Sequence, residues 1–308
     1  MLRYLSIRLL HSVFVVLALL VFVFAITQTT GDPAALALGA DSTEEEIQEF
    51  REAMGFDRPM TVQFVDFVTG VLTRAEFGES LRYHEPALPL VLERLPATIQ
   101  LTLAAMLVAL LIGVPTGLLA ALYRGTAFDA GLRIFALLGQ SAPVFWVGIL
   151  LIQIFAVHLR WLPSSGREDG LESLVLPAIA LSTYSAASIT RLLRASVLDT
   201  LSQDFVRTAR AKGVPHVAVV LRHVLRNSLL PVVTLLGLQF GTLLGGAVIT
   251  ETIFAWPGLG RLVVQAIYNR DIFLIQAAVF TIAVLFVAIN FLMDVLYTVL
   301  DPRIRLQT

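Results

Sequence analysis

The chain has 308 residues, of which 57% are hydrophobic and 15% charged, and its mean hydropathy of +0.81 excludes an ordinary soluble domain. The net charge of −1 carries little information in a chain whose charges are sorted between two sides of a bilayer. The absence of cysteine excludes a disulfide framework, a thiolate metal site and a cysteine nucleophile.

Six windows reach the roughly 20 apolar residues that a helical crossing needs. They run from Leu9 to Gln28, Ala97 to Tyr123, Ile134 to Leu159, Leu174 to Val197, Leu229 to Ile253 and Leu274 to Leu300. The first follows Arg3 and Arg8, as a signal peptide would, but its apolar run is long and Ala25-Ile26-Thr27 is a poor cleavage site. It reads as a retained helix. The expected fold class is therefore all-α: a single polytopic membrane domain over 1–308 with six transmembrane helices.

Between the first two windows, 29–96 holds thirteen acids and five arginines and is too long for a tight connection. Thr43 with Glu46 makes a capping box, so a surface helix is expected from Glu44 to Met54, stopped at Gly55. Met60 to Leu72 carries Val62, Phe64, Val65, Phe67, Val68, Val71 and Leu72 at near-helical spacing and should form a second helix on the membrane-proximal surface. A small extracytoplasmic subdomain is expected here.

Polar residues at membrane depth are costly against lipid and mark packing contacts or pathways. Gln140, Ser141, Gln153, His158, Gln239, Thr242, Glu251, Gln276, Asn290 and Asp294 fall in or at the ends of the windows, and Asn290, Asp294 and Tyr297 share a face. Helix–helix hydrogen bonding is the expected role of that trio. Ser141, Pro143 and Trp146 lie in a proline-broken stretch that either packs or lines a cavity; with Gln239, Thr250 and Glu251 they are the candidate pathway or gate. Glu251, at the end of its window, reads equally as solvated or as a gate.

The run from Asp204 to Pro231 is strongly basic, with Arg207, Arg210, Lys212, Arg222 and Arg226. Thr200 with Gln203 can cap a helix whose apolar side is Phe205, Val206 and Ala209; Gly213 ends it, and Pro215 opens a second. In that second helix Val217, Val220, Leu221, Val224 and Leu225 follow an α-helical stripe. Interfacial anchoring on anionic lipid accounts for the charge; a rigid bend between two helices also suits docking to a protein. Basic residues near the window ends place this loop and both termini in the cytoplasm.

The run Arg207 to Gly213, followed by Arg222-His223-Val224-Leu225-Arg226-Asn227-Ser228-Leu229-Leu230-Pro231, resembles the coupling motif of bacterial ATP-binding cassette importer permeases in its dipeptide, oligopeptide and nickel variant, without the leading Glu of the general motif. Further likenesses to the B-type permease of that family are Gly31-Asp32-Pro33, Gly55 to Pro59, Arg94 to Thr98, Ser141 to Trp146, Leu162 to Gly166, Glu251 to Gly260 and Asp301 to Arg305. The likeness is strongest to its dipeptide-importing members. It implies the importer permease fold, with Arg207, Thr208, Ala209, Arg210, Lys212, Gly213, Val214, Pro215 and His216 coupling to ATPases. It also implies that Phe254, Trp256, Pro257 and Arg261, in the loop 254–273, contact a binding protein.

The chain lacks a G-x-x-x-x-G-K-[ST] phosphate loop. The resemblance thus implies a non-catalytic subunit with no cofactor or metal of its own, ATP and Mg being held by two cytoplasmic ATPase subunits. The other implied partners are a second, C-type permease, an extracytoplasmic substrate-binding protein, membrane lipid and a peptide, with no nucleic acid. The same scaffold suits nickel chelates, oligopeptides, glutathione or haem. An ion-gradient-driven secondary transporter is the alternative from another class, and it predicts paired ionisable residues at the midplane.

Overall fold

The computed structural model describes residues 2–29, 33–38 and 42–300, apart from some side chains near helix ends, those of Asp294 and Tyr297 among them. Gly31, Asp32 and 301–308 also lie outside the described residues. The chain forms α1 (Leu2–Thr29), α2 (Pro33–Leu38), α3 (Glu44–Ala53), α4 (Met60–Arg74), α5 (Ala87–Leu122), α6 (Ala127–Ser141), α7 (Val144–His158), α8 (Leu171–Leu201), α9 (Asp204–Ala211), α10 (216–228), α11 (Leu230–Ile253), α12 (Leu259–Tyr268) and α13 (Ile272–Leu300). Among the described residues the only β feature is an isolated bridge between Glu79 and Pro86.

Among the described residues five helices are long and apolar enough to cross a bilayer, and α6 with α7, bent by 107° at their break, makes a sixth if the pair is one span. The break has a local cause. Pro143 lacks an amide hydrogen and drives Ala142 out of the helical region, to φ −74° and ψ 126°. The second window extends N-terminally past expectation. Helix α5 begins at Ala87, with Pro89 harmless in its first turn, and the buried Ala87 and Val91 hold the added turns.

The helices fall into two compact units, Met1–Thr98 with Pro257–Thr308, and Ile99–Trp256. In the first, α1 runs along α13, α12 packs on α13, and α4 leans on α1 through Phe64 and Phe67, whose rings meet Phe24 at 5.3 and 5.9 Å. Phe14 on α1 is 70% exposed, as are many of its apolar neighbours, a surface suited only to lipid or to other apolar chains. The capping box of α3 is present: Thr43 N–H donates to Glu46 at 2.8 Å and Glu46 N–H to Thr43 Oγ1 at 3.3 Å. The bond from the Thr43 amide holds the Glu46 carboxyl below its usual range. On α4 only part of the expected apolar stripe is covered: Val71 is buried, whereas Val62, Val65 and Leu72 are exposed.

In the second unit α8 is the central post, with α6, α7 and α11 packed around it. Gly113 and Gly117, one turn apart on α5, meet α8 so closely that a Cβ on Gly113 would lie 2.8 Å from Ile189 Cβ, and one on Gly117 2.8 Å from the carbonyl oxygen of Thr190. Thr116 and Thr190 join across that contact at 2.7 Å. Small residues at this spacing let two apolar helices touch along their backbones.

Candidate functional site

The basic loop is a shelf built on α8. Val206 and Ala209 of α9 and Val219 and Val224 of α10 are buried against Leu193 and Val197 of α8. Arg207, Thr208, Arg210, Lys212, Gly213, Pro215 and His216 remain exposed, and Val214 is half-buried. The bend is made by Gly213 at φ +77°, where the Gly213 amide donates to Arg210 O at 3.0 Å and the Val214 amide to Ala209 O at 3.3 Å. This is the left-handed helix stop that glycine adopts without steric strain. Arg207 lies 3.7 Å from Asp204, both widely exposed, a pair of little energetic weight. The shelf therefore presents a cluster of exposed basic groups on a valine-backed frame.

Two local expectations are corrected. Thr200 does not cap α9, because α8 runs on to Leu201 and Gln203 takes the N-cap position without a side-chain bond. Thr200 Oγ1 instead donates to Ser196 O at 2.7 Å and accepts from Ser228 Oγ at 3.0 Å, so the exit of α10 is tied to the end of α8. The second helix is not α-helical throughout either. Val219–Leu225 is π-wound, which aligns residues five apart and buries Val219 with Val224, leaving Val217 67% and Leu221 53% exposed.

Of the membrane-depth candidates, Ser141, Pro143 and Trp146 are exposed at the break between α6 and α7. Gln239 and Thr250 are buried on α11, the latter donating to Gly246 O at 3.2 Å. Glu251 is fully buried, so the solvated reading of this carboxylate is excluded. Asn290 donates to its own helix at Phe286 O, 2.9 Å away.

The expected outward aromatic loop faces inward. Phe254 and Trp256 are fully buried, Phe254 against Leu176 and Ala180 of α8, with its carbonyl accepting from the Gly166 amide at 2.9 Å. The Arg167 guanidinium lies 5.7 Å from the centre of the Trp256 ring. In this conformation neither aromatic side chain is placed to meet a binding protein. Pro257 and Arg261 are half-exposed and, with Tyr83 and Arg94, line a cavity of about 250 Å³.

Several structural residues had not been singled out for these roles. Asp129, 1% exposed in the first turn of α6, accepts Arg194 Nε and Nη2 of α8, each at 2.9 Å, and the Gly125 amide at 3.1 Å. Its signal in the sequence is that it is the sole acid between Arg124 and Arg133. Asp271, also buried, caps α13 through the Leu274 amide at 3.1 Å and accepts from Ser80 Oγ and the Arg82 amide. An Asp immediately before an apolar run is the usual cap signal. The described residues contain no group of three His, Asp or Glu side chains placed to share a metal.

The bent basic shelf below a bundle of apolar helices agrees with the comparisons. The family model described as "Binding-protein-dependent transport system inner membrane component" matches residues 113–306, and the N-terminal model of the same systems matches 1–102. The chain belongs to this family of importer permeases. The Di/tripeptide transport system permease protein DppB of Pseudomonas aeruginosa (strain UCBPP-PA14) is 41% identical over 305 residues, covering 90% of each chain. The Glutathione transport system permease protein GsiC of Salmonella choleraesuis (strain SC-B67) is 42% identical over 307 residues, covering 99% of each. A crystal structure of the MetNI methionine ABC transporter in inward-facing conformations shares the fold, at 20% identity and a TM-score of 0.58, covering 69% of this chain and 96% of that one. The chain is thus a multi-pass inner-membrane subunit of an ABC importer of the peptide family, and the ion-gradient alternative is set aside.

Proposed function

We propose that this importer permease is the B-type half of a peptide transporter, most suited to dipeptides, and that it moves its solute on energy released elsewhere. The observation that carries the reading is the shelf: exposed Arg207, Arg210, Lys212 and His216 around the Gly213 bend, backed by the valines that weld α9 and α10 to α8. A partner pressing on that shelf moves a helix 31 residues long, whose middle is buried among the neighbouring helices. Coupling of this kind is a population shift between two arrangements of packed helices.

Two cytoplasmic ATPase subunits holding ATP and Mg press on the shelf, a C-type permease completes the pathway, and an extracytoplasmic binding protein delivers the solute. The chain itself is non-catalytic and binds no cofactor. The arginine distribution supports both termini and the shelf in the cytoplasm, with 29–96 outside. The names of the di/tripeptide and glutathione relatives support a small peptide as solute.

The test is uptake by proteoliposomes holding the complete transporter. Alanyl-alanine should accumulate only with ATP and binding protein present. Gly213→Arg should keep the subunits together and ATP turnover measurable while uptake falls at least tenfold. Wild-type uptake of a nickel chelate or haem but of no dipeptide would reject the substrate, and undiminished uptake by the variant would reject the shelf as the coupling point.

A further inference from the structure

The cavity of about 250 Å³ at the start of α12 draws its polar side chains from Tyr83, Arg94, Arg261 and Gln265. Two of these are guanidiniums, and among the described residues no Asp or Glu lines it. Both arginines are half-buried, whereas Tyr83 and Gln265 are exposed, so the cavity can be reached from the surface. The frame behind the arginines is tied together. The Leu259 amide donates to the buried Thr98 hydroxyl at 2.7 Å, pinning the first residue of α12 to α5. Arg94 lies one turn before Thr98 on α5, and Arg261 two residues after Leu259 on α12, so one clasp governs how two cations from different helices stand to each other. Buried Leu259 and Leu262 seat α12 in the apolar core beneath. Tyr83 is held from its own side, its amide donating to Ser80 Oγ at 3.1 Å.

We propose that this cavity receives the C-terminal carboxylate of the peptide as it leaves the binding protein, with Arg94 and Arg261 as the groups that hold it. The assignment rests on the peptide reading above, in which 29–96 and the loop 254–273 both face the side from which the solute arrives. Half-buried cations around one cavity repel each other in surroundings that screen less than water, and an anion between them relieves that cost. A guanidinium binds a carboxylate through paired N–H groups, while a phenol and a carboxamide can each donate to its remaining lone pairs. Arg261 stands in the first turn of α12, whose positive end adds to the same field. The charge that attracts the carboxylate repels the N-terminal ammonium. A peptide therefore enters carboxylate first, with its amino end outside the cavity.

The test again uses the complete transporter and compares uptake of alanyl-alanine with that of alanyl-alanine amide, which lacks the anionic end. The quantity read is the ratio of their kcat/KM values; the binding protein's own preference is common to every variant and cancels. Arg94→Gln should lower the ratio about tenfold, the worth of one hydrogen bond to a charged group, and Arg94→Lys should restore part of it. Gln265→Glu, at an exposed position, puts an acid into the cavity and should lower the ratio as well. That variant decides the matter if Arg94→Gln fails to assemble. A ratio that stays at its wild-type value overturns the site. This includes a parallel fall in uptake of both compounds, the result expected if the cavity received an acidic side chain of the binding protein instead. Absence of alanyl-alanine uptake in wild type is the separate failure of the peptide reading, and the site falls with it.

Discussion

Asp129 shows how much one side chain can hold in this molecule. Its carboxylate takes both nitrogens of one face of Arg194 and the Gly125 amide, while Arg133 stands 3.4 Å away, so the first turn of α6 is fastened to α8 next to Leu193, one of the residues that back the shelf. A buried pair of this kind gains little over apolar packing but is expensive to break, since the remaining charge stays buried; the usual cost is about 3–5 kcal/mol. Asp129→Ala is expected near the lower end, because Arg194 retains some access to water. The check is thermal unfolding of the detergent-solubilised chain, in which Asp129→Ala should melt well below wild type and Asp129→Glu between the two. Equal melting of wild type and Asp129→Ala would show the clasp to be ornamental. The basic shelf residues were legible in the sequence because a glycine stop, a proline start and a cluster of cations are local signals. The partner of Asp129 was not, since it lies 65 positions away and only the fold brings it near.

At the scale of elements, the spans were legible because length and apolarity decide them. The 107° break was legible in kind from Pro143 but not in size. The inward turn of Phe254 and Trp256 was illegible, because a turn-rich aromatic segment reads as exposed until a partner surface, here α8, is known to lie beside it. The contact of α5 with α8 sits between these cases: Gly113 and Gly117 form a small-xxx-small pattern that periodicity alone passes over. Gly113→Leu should prevent the close approach, since the obstructing atoms include the Ala186 carbonyl oxygen, which cannot swing aside. Overpacking of this kind costs about 1–3 kcal/mol or more, read as lower yield of folded chain and a lower melting temperature. The exposed Gly131, with open space around it, is the control: Gly131→Ala should be neutral.

For the whole molecule, the described residues hold five apolar helices of spanning length, or six spans if α6 and α7 form one, and only the even count returns both ends to one side. The proposed orientation, both ends in the cytoplasm, rests on six spans and on the arginines near their ends. A reporter fused after Thr308 that is active only in the cytoplasm should therefore be active, and the same reporter inserted between Ser42 and Thr43 should be silent. The reverse pattern would invert the orientation and, with it, the side from which ATPases reach the shelf. What the whole-chain sequence could not convey was the solute.

The π-wound stretch Val219–Leu225 also bears on how this loop can vary in length. A π turn holds one residue more than the α turn it replaces. The segment thus carries a spare position between two fixed anchors, the Pro215 start and the Ser228 tie to α8. A chain one residue shorter here could rewind to plain α-helix with both anchors in place and part of the valine backing kept. Elsewhere on the shelf a deletion would drag the Gly213 bend or the Ser228 tie out of position. Length differences among permeases of this kind should therefore gather within these seven residues, where the helix has slack to give up.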